Sequence, residues 1–176
     1  MRVGVNMSPI QFRKRTVPLL VARILGETGL DPHLLDLELT EGIMMHDIEA
    51  VAADLRMVID LGVKISIDDF GTGFSSLGYV KRFPVDRIKI DQSFIRNLAT
   101  DPNDLAIVRT VVTLGHSLGL RVVAEGVETV GQVEKLRAEG CDEVQGYFFG
   151  RPMPAADFLA LARQARGLAN LAARSA

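Results

Sequence analysis

Short, β-rich apolar runs alternate along this chain with longer segments of helical period. The runs predict strands over Val3–Asn6, Leu35–Leu39, Lys64–Asp68, Arg87–Ile90, Arg121–Glu125 and Glu143–Tyr147. Their alternation with helical segments predicts βα units carrying a parallel sheet. Six such units suit either a doubly wound open sheet or most of a (β/α)8 barrel. The two differ in where polar residues gather: a barrel collects the C-terminal ends of all its strands round one mouth, whereas an open sheet offers mainly its switch-point crevice.

The helical segments carry their own start and stop signals. Ser8-Pro9-Ile10-Gln11 combines an N-cap serine, a proline at the first helical position and a glutamine able to close a capping box. Asp101-Pro102 opens a segment whose Leu105, Val108, Val111, Val112 and Leu118 form one apolar stripe ending at Gly119. In Ile48–Leu61 the inward positions are Val51, Leu55, Val58 and Ile59, with Gly62 suited to the left-handed turn that follows. Thr129 through Gln132 starts another helix, which Gly140 closes. From about Leu159 the chain turns rich in Ala, Arg and Leu, so residues 1–158 are expected to form one domain and 159–176 a C-terminal helix or tail.

Composition narrows the function classes. With 176 residues, 48% of them hydrophobic, the chain can bury one sizeable core. Twenty basic against twenty-two acidic residues leave a formal charge of -2, so no broad positive field invites DNA or an acidic membrane. A single cysteine, Cys141, excludes an internal disulfide framework, and His33, His46 and His116 lack zinc-like spacing. No signal peptide or membrane span is evident, and the cytoplasm is the expected location.

The strand ends carry the chemistry. Read to its C-terminal end, each strand closes on a polar or charged residue: Asn6, Glu38, Asp68 with Asp69, Lys89, Glu125 and Gln145. On a barrel these converge on one mouth, the position this fold uses for catalysis. Four carboxylates and a carboxamide are hard oxygen ligands, suited to Mg2+ or Mn2+ rather than zinc or copper. Neighbouring like charges raise one another's pKa unless a cation intervenes, and two divalent ions would neutralise this set. Lys89 is its only cation, placed to hold an attacking water or to meet charge developing on a phosphate.

Val5-Asn6-Met7-Ser8-Pro9-Ile10-Gln11-Phe12, Glu38-Leu39-Thr40-Glu41, Ile67 through Leu77 (IDDFGTGFSSL), Pro84 through Asp91 (PVDRIKID), Val123-Ala124-Glu125-Gly126-Val127-Glu128 and Gln145 through Pro152 (QGYFFGRP) resemble, in order, the motif series of the EAL domain. The resemblance runs to about Pro154. It implies an α/β fold, a TIM-like (β/α)8 barrel of the EAL type, incomplete here at about six βα units. It also implies the family's activity, the linearisation of cyclic di-GMP to pGpG by a metal-dependent phosphodiesterase in bacterial signalling. The strand bearing the Glu-Ala-Leu motif itself, with its metal-binding glutamate, is expected upstream of Val3. The resembling part is therefore the C-terminal part of the domain.

Carried over by position, the resemblance makes Asn6, Glu38, Asp68, Asp69 and Glu125 metal ligands, for two Mg2+ or Mn2+ ions in a complete site and one or none in a shortened one. Lys89, with Glu125, is catalytic and contacts the water. Gln145, Tyr147, Phe149 and Pro152 lie by the substrate. Glu41 anchors a loop containing Gly71, Gly73 and Ser75, and Asp91 and Glu128 support neighbouring loops. Expected partners are cyclic di-GMP, a second copy in a homodimer or larger assembly, and a fused or partner diguanylate cyclase or sensory domain.

Two other readings bear on the same residues. One is a cyclic di-GMP receptor or interaction module without hydrolysis. The other takes Gly71-Thr72-Gly73 as a dinucleotide-cofactor loop, which fails on spacing and on the two acids that precede the glycines.

Overall fold

The computed structural model describes residues 2–44, 47–72, 80 and 82–163. Six strands form one sheet: β1 (Val3–Met7), β2 (Leu35–Thr40), β3 (Lys64–Phe70), β4 (Arg87–Ile90), β5 (Arg121–Ala124) and β6 (Glu143–Val144). All five pairings are parallel and the spatial order is the sequence order. A doubly wound sheet must reverse its strand order, and this one never does. The sheet instead curls: Arg2, beside the β1 edge, reaches within 3.9 Å of Glu143 on the opposite edge. One concavity of about 140 Å³ is lined by residues from all six strands. The fold is a TIM-like partial barrel.

Alternation along each strand sorts the chain into an outside and an inside. Leu35, Leu37 and Leu39, Ile65 and Ile67, Ile88 and Ile90, and Val122 and Ala124 face outward into the buried core. The helices cover them there: α1 (Pro9–Arg13), α2 (Val17–Thr28), α3 (Glu41–Met44), α4 (Ile48–Asp60), α5 (Gln92–Arg96), α6 (Pro102–Ser117) and α7 (Val130–Ala138). Val51, Leu55 and Val58 of α4 and Val108, Val111 and Val112 of α6 are buried as their periodicity predicts, while Ile59, Leu105 and Leu118 are packed partly buried against them. Cys141 is enclosed beside β5 and β6, and burial pushes its thiol up to about 11, which keeps it protonated and unreactive.

Helix starts follow the capping residues. Ser8 and Thr129 close complete capping boxes with Gln11 and Gln132, and Asp101 caps α6 ahead of Pro102. The helix beginning at Ser8 nevertheless stops at Arg13. Pro18 has no N–H to give the carbonyl four residues earlier, so one continuous helix would lose that bond. The chain breaks at Arg15 (φ 52°), whose guanidinium makes two hydrogen bonds to buried Asp54 of α4, at 3.1 and 3.3 Å. Residues 155–163 are helical, and 164–176 of the expected tail lie outside the described residues. No helix among the described residues is long and apolar enough to cross a membrane.

The inner face is polar from its floor upward. Asp36, Ser66 and Arg87 sit two residues before Glu38, Asp68 and Lys89 on the same strands, and all three are buried. Ser66 Oγ donates to Asp36 Oδ1 at 2.7 Å, and Arg87 is hydrogen-bonded to the other oxygen of the same carboxylate. Removing one partner of a buried pair strands the other's charge, at a cost of several kcal/mol, whereas replacing both with apolar groups is often nearly neutral. Arg87→Met should therefore lower unfolding free energy by about 3 kcal/mol, with most of it restored in Arg87→Met/Asp36→Leu. Urea denaturation midpoints of the two variants check this.

Candidate functional site

Lys89 is the penultimate residue of β4, between Ile88 and Ile90, which both face the outer core. Its ammonium therefore points inward, where it meets three acids: Glu38 Oε2 at 2.5 Å, Glu125 Oε1 at 2.7 Å and Asp68 Oδ1 at 3.0 Å. Glu38 reaches this point by the same alternation, between Leu37 and Leu39. Glu125 stands one residue beyond β5, held because its N–H still donates to Ile90 O at 3.1 Å. The carboxamide of Asn6 completes the group: with its nitrogen turned inward it donates to Asp68 Oδ2 at 3.1 Å and Glu38 Oε2 at 3.3 Å.

Asp69 joins them through a backbone irregularity. The expected strand end at Asp68 is corrected here, because β3 continues to Phe70 with a register shift between Ile67 and Phe70. Asp69 takes a left-handed φ of 53° and its N–H donates to Asp68 Oδ1 at 3.1 Å. Aspartate is among the few residues that accept this conformation at modest cost. Phe70 then returns to the outer core opposite Ile90. Adjacent strand residues ordinarily face opposite sides, and the bulge puts both acids on the same one. Oxygens of Asp68, Asp69 and Glu125 lie within 4.8 Å of one another.

Burial would lower the Lys89 pKa, but hydrogen bonds to Glu125, Glu38 and Asp68 outweigh it and raise it, so the ammonium stays charged. Glu125 is raised, first by burial and then by the charges of Asp68 and Glu38, against the lowering contact with Lys89. Asp69 is raised by burial, by Asp68 and by Asp91, to which its carboxyl is hydrogen-bonded. Asp91 is itself lowered: its burial is outweighed by hydrogen bonds from Ser93. Four carboxylates thus face one ammonium, and burial together with the neighbouring carboxylates raises Glu125 and Asp69 despite Lys89.

The other expected residues distribute round this centre. Glu41 Oε1 accepts the Gly71 N–H at 3.0 Å, tying the loop after β3 to the start of α3. Gly73 and Ser75, named with it, lie outside the described residues. Gln145 borders both the inner concavity and a second cleft, of about 250 Å³, shared with Glu125, Glu128 and Tyr147. Strand β6 is shorter than expected and ends at Val144, because the chain turns at Gly146 to pack against the Val127 backbone. Tyr147, Phe149 and Pro152 line a groove of about 630 Å³ beside it, where Arg151 stacks 4.7 Å from the Tyr147 ring centroid. Asp36, Ser66 and Arg87 escape a search of strand ends but are legible as the next inward positions by period two. Gln132 is legible in sequence only as a cap.

The curled parallel sheet defines an α/β barrel-class protein with a carboxylate-rich mouth. The profile of the EAL domain matches residues 1–152, and the chain belongs to that family. It is 48% identical over 158 residues to the bifunctional diguanylate cyclase/cyclic di-GMP phosphodiesterase MucR of Pseudomonas aeruginosa, covering 90% of this chain and 23% of that protein. The solved PaMucR phosphodiesterase in complex with c-di-GMP superposes with a TM-score of 0.85 at 46% identity, over 89% of this chain and 64% of that one. BlrP1 of Klebsiella pneumoniae, solved as a manganese/cy-diGMP complex, gives a TM-score of 0.77 at 33% identity, over 86% of this chain and 39% of that one. The chain spans about a fifth of the length of the curated relatives it matches.

Replacing Lys89 with methionine removes the one contact that lowers the Glu125 pKa, so the Glu125 carboxyl should titrate higher still, as carbon-13 NMR would record. A carboxyl whose folded pKa exceeds its unfolded value of about 4.3 holds its proton more tightly when folded. Its contribution to stability is therefore lost as pH rises from there through the folded pKa. Thermal melts of Lys89→Met without divalent ions should show a steeper loss across that window than wild type, and equal slopes would contradict the assignment.

Proposed function

We propose that this chain is a cyclic di-GMP phosphodiesterase domain, opening the cyclic dinucleotide to linear pGpG. The observation that supports it best is the convergence of Glu38, Asp68, Asp69 and Glu125 on Lys89 at the mouth of a curled parallel sheet, in a family whose solved members include c-di-GMP complexes. In the reaction a water oxygen adds to one phosphorus. The water loses a proton, one P–O bond to ribose breaks, the released ribose oxygen takes up a proton to become a hydroxyl, and the ring opens.

The donor set fits Mg2+ or Mn2+: all its ligand atoms are hard oxygens, and its acids carry uncompensated charge. Bound there, divalent ions would acidify the water and neutralise the phosphate. Asp68 and Asp69 would hold the ions from one bulged strand, Glu38 from the neighbouring β2 and Glu125 from the end of β5, and Asn6 serves by rotating its carboxamide oxygen inward. Lys89, permanently charged, positions the water and meets charge developing on phosphate. Gln145 and the groove beside Tyr147, Phe149 and Pro152 receive the guanine and ribose parts, where aromatic faces suit stacking. Glu41, through Gly71, steadies the chain immediately after β3. Pairing with a second copy would make the working form a dimer.

Incubation of the chain with cyclic di-GMP and Mn2+ should yield pGpG by chromatography. Asp68→Asn should slow it more than about 100-fold, since even residues one step removed from a metal cost 10–100-fold. Arg109→Ala, which breaks an exposed pair with Glu139 on the helices, should leave the rate unchanged. Binding of cyclic di-GMP by calorimetry without turnover would favour the receptor reading, and neither binding nor turnover would overturn both.

A further inference from the structure

Gln132 carries more than its helix requires. As the third residue of α7 it closes a capping box: its Oε1 accepts the N–H groups of Glu128 at 2.8 Å and Thr129 at 2.9 Å. Gln11 does the same work for α1, accepting the Ser8 N–H at 2.8 Å, from an exposed position. Capping therefore needs no burial. Gln132 is nonetheless 6% exposed, and its Nε2 donates to Ile95 O at 3.0 Å, on the last turn of α5. One amide thus joins the segment that follows β5 to the short helix that follows β4.

That short helix touches the site on two sides. Its N-cap is Asp91, whose carboxyl is hydrogen-bonded to Asp69. On one flank Phe94 packs under the Asp69–Thr72 turn, so closely that a Cβ on Gly71 would stand 3.1 Å from its ring. On the other, Gly126 meets Gln92, where a Cβ would stand 2.5 Å from Gln92 Cβ. Glu125 adjoins Gly126. Helix α5 therefore touches the backbone next to both Asp69 and Glu125, and the Gln132 amide bridges it to the Glu128–Thr129 backbone.

We infer that Gln132 is a positioning residue that locks the acid-bearing ends of β4 and β5 together, keeping Glu125 in reach of the Asp69–Asp91 pair. This rests on reading the acids as an ion site. Gln132→Glu at pH 8 keeps the acceptor that caps α7 and removes the donor to Ile95. Gln132→Met removes both. Gln11→Glu alters the equivalent cap on α1, outside both segments joined by Gln132, and Val112→Ala supplies a remote loss of stability for comparison.

Hydrogen exchange followed by mass spectrometry should rise in both Gln92–Arg96 and Glu125–Thr129 in the Gln132 variants, and in neither segment in the two controls. Calorimetric Mn2+ binding should weaken about tenfold, the scale expected for partners that orient ligands. Exchange confined to α7, or Mn2+ affinity matching that of Val112→Ala at equal melting temperature, would reduce Gln132 to a cap and overturn the inference. A wild-type chain that holds no Mn2+ would refute the ion-site reading, while the paired exchange response would still decide whether the lock exists.

Discussion

One ammonium shared among three carboxylates organises this protein. Lys89 contacts acids from β2 and β3 and from just beyond β5 while itself belonging to β4, so four consecutive segments of the sheet converge on one charge. Such an arrangement forces curvature, because the inward side chains of a flat sheet could not all reach a single point. It also explains the polar floor beneath it. The Asp36–Ser66–Arg87 set repeats the acid–base pairing one inward position lower on the same strands, so that each buried charge has a partner in a space from which water is partly excluded.

The apolar half of the fold follows from the alternation of residues, and the polar half follows from the same alternation read at the complementary positions. Leucines and isoleucines at every second position of β2, β3 and β4 build the outer core. That much was legible before any coordinates: the six strands, the caps at Ser8, Asp101 and Thr129, and the convergence of Asn6, Glu38, Asp68, Lys89 and Glu125. Ordering the strands decided between an open sheet and a barrel, which periodicity alone leaves undetermined.

Other features were hidden because they depend on backbone geometry or on contacts distant in sequence. The β3 bulge is one: a strand ending at Asp68 and a strand bulging at Asp69 aim the same two acids at the same place, and the residues themselves do not distinguish them. The helix break at Arg15 is another, since its partner Asp54 lies 39 residues away. Gln132 is a third. Its capping half is written in the local Thr-x-x-Gln spacing, whereas the bond to Ile95 exists only once α5 and α7 are side by side. The EAL motif series supplied what spacing could not, the family to which the ordered residues belong.

The strand order also bears on how the chain comes to be folded. Because each strand pairs with the one that follows it, no pairing must wait for a distant segment, and the sheet can be laid down in the direction of synthesis. Parallel pairing is otherwise slow when it joins remote parts of a chain. Emerging from a ribosome, β2 and β3 would present Glu38 and Asp68 to each other with no cation between them until β4 brought Lys89. The lysine would then do for assembly what it does in the finished mouth, making the gathering of acids tolerable.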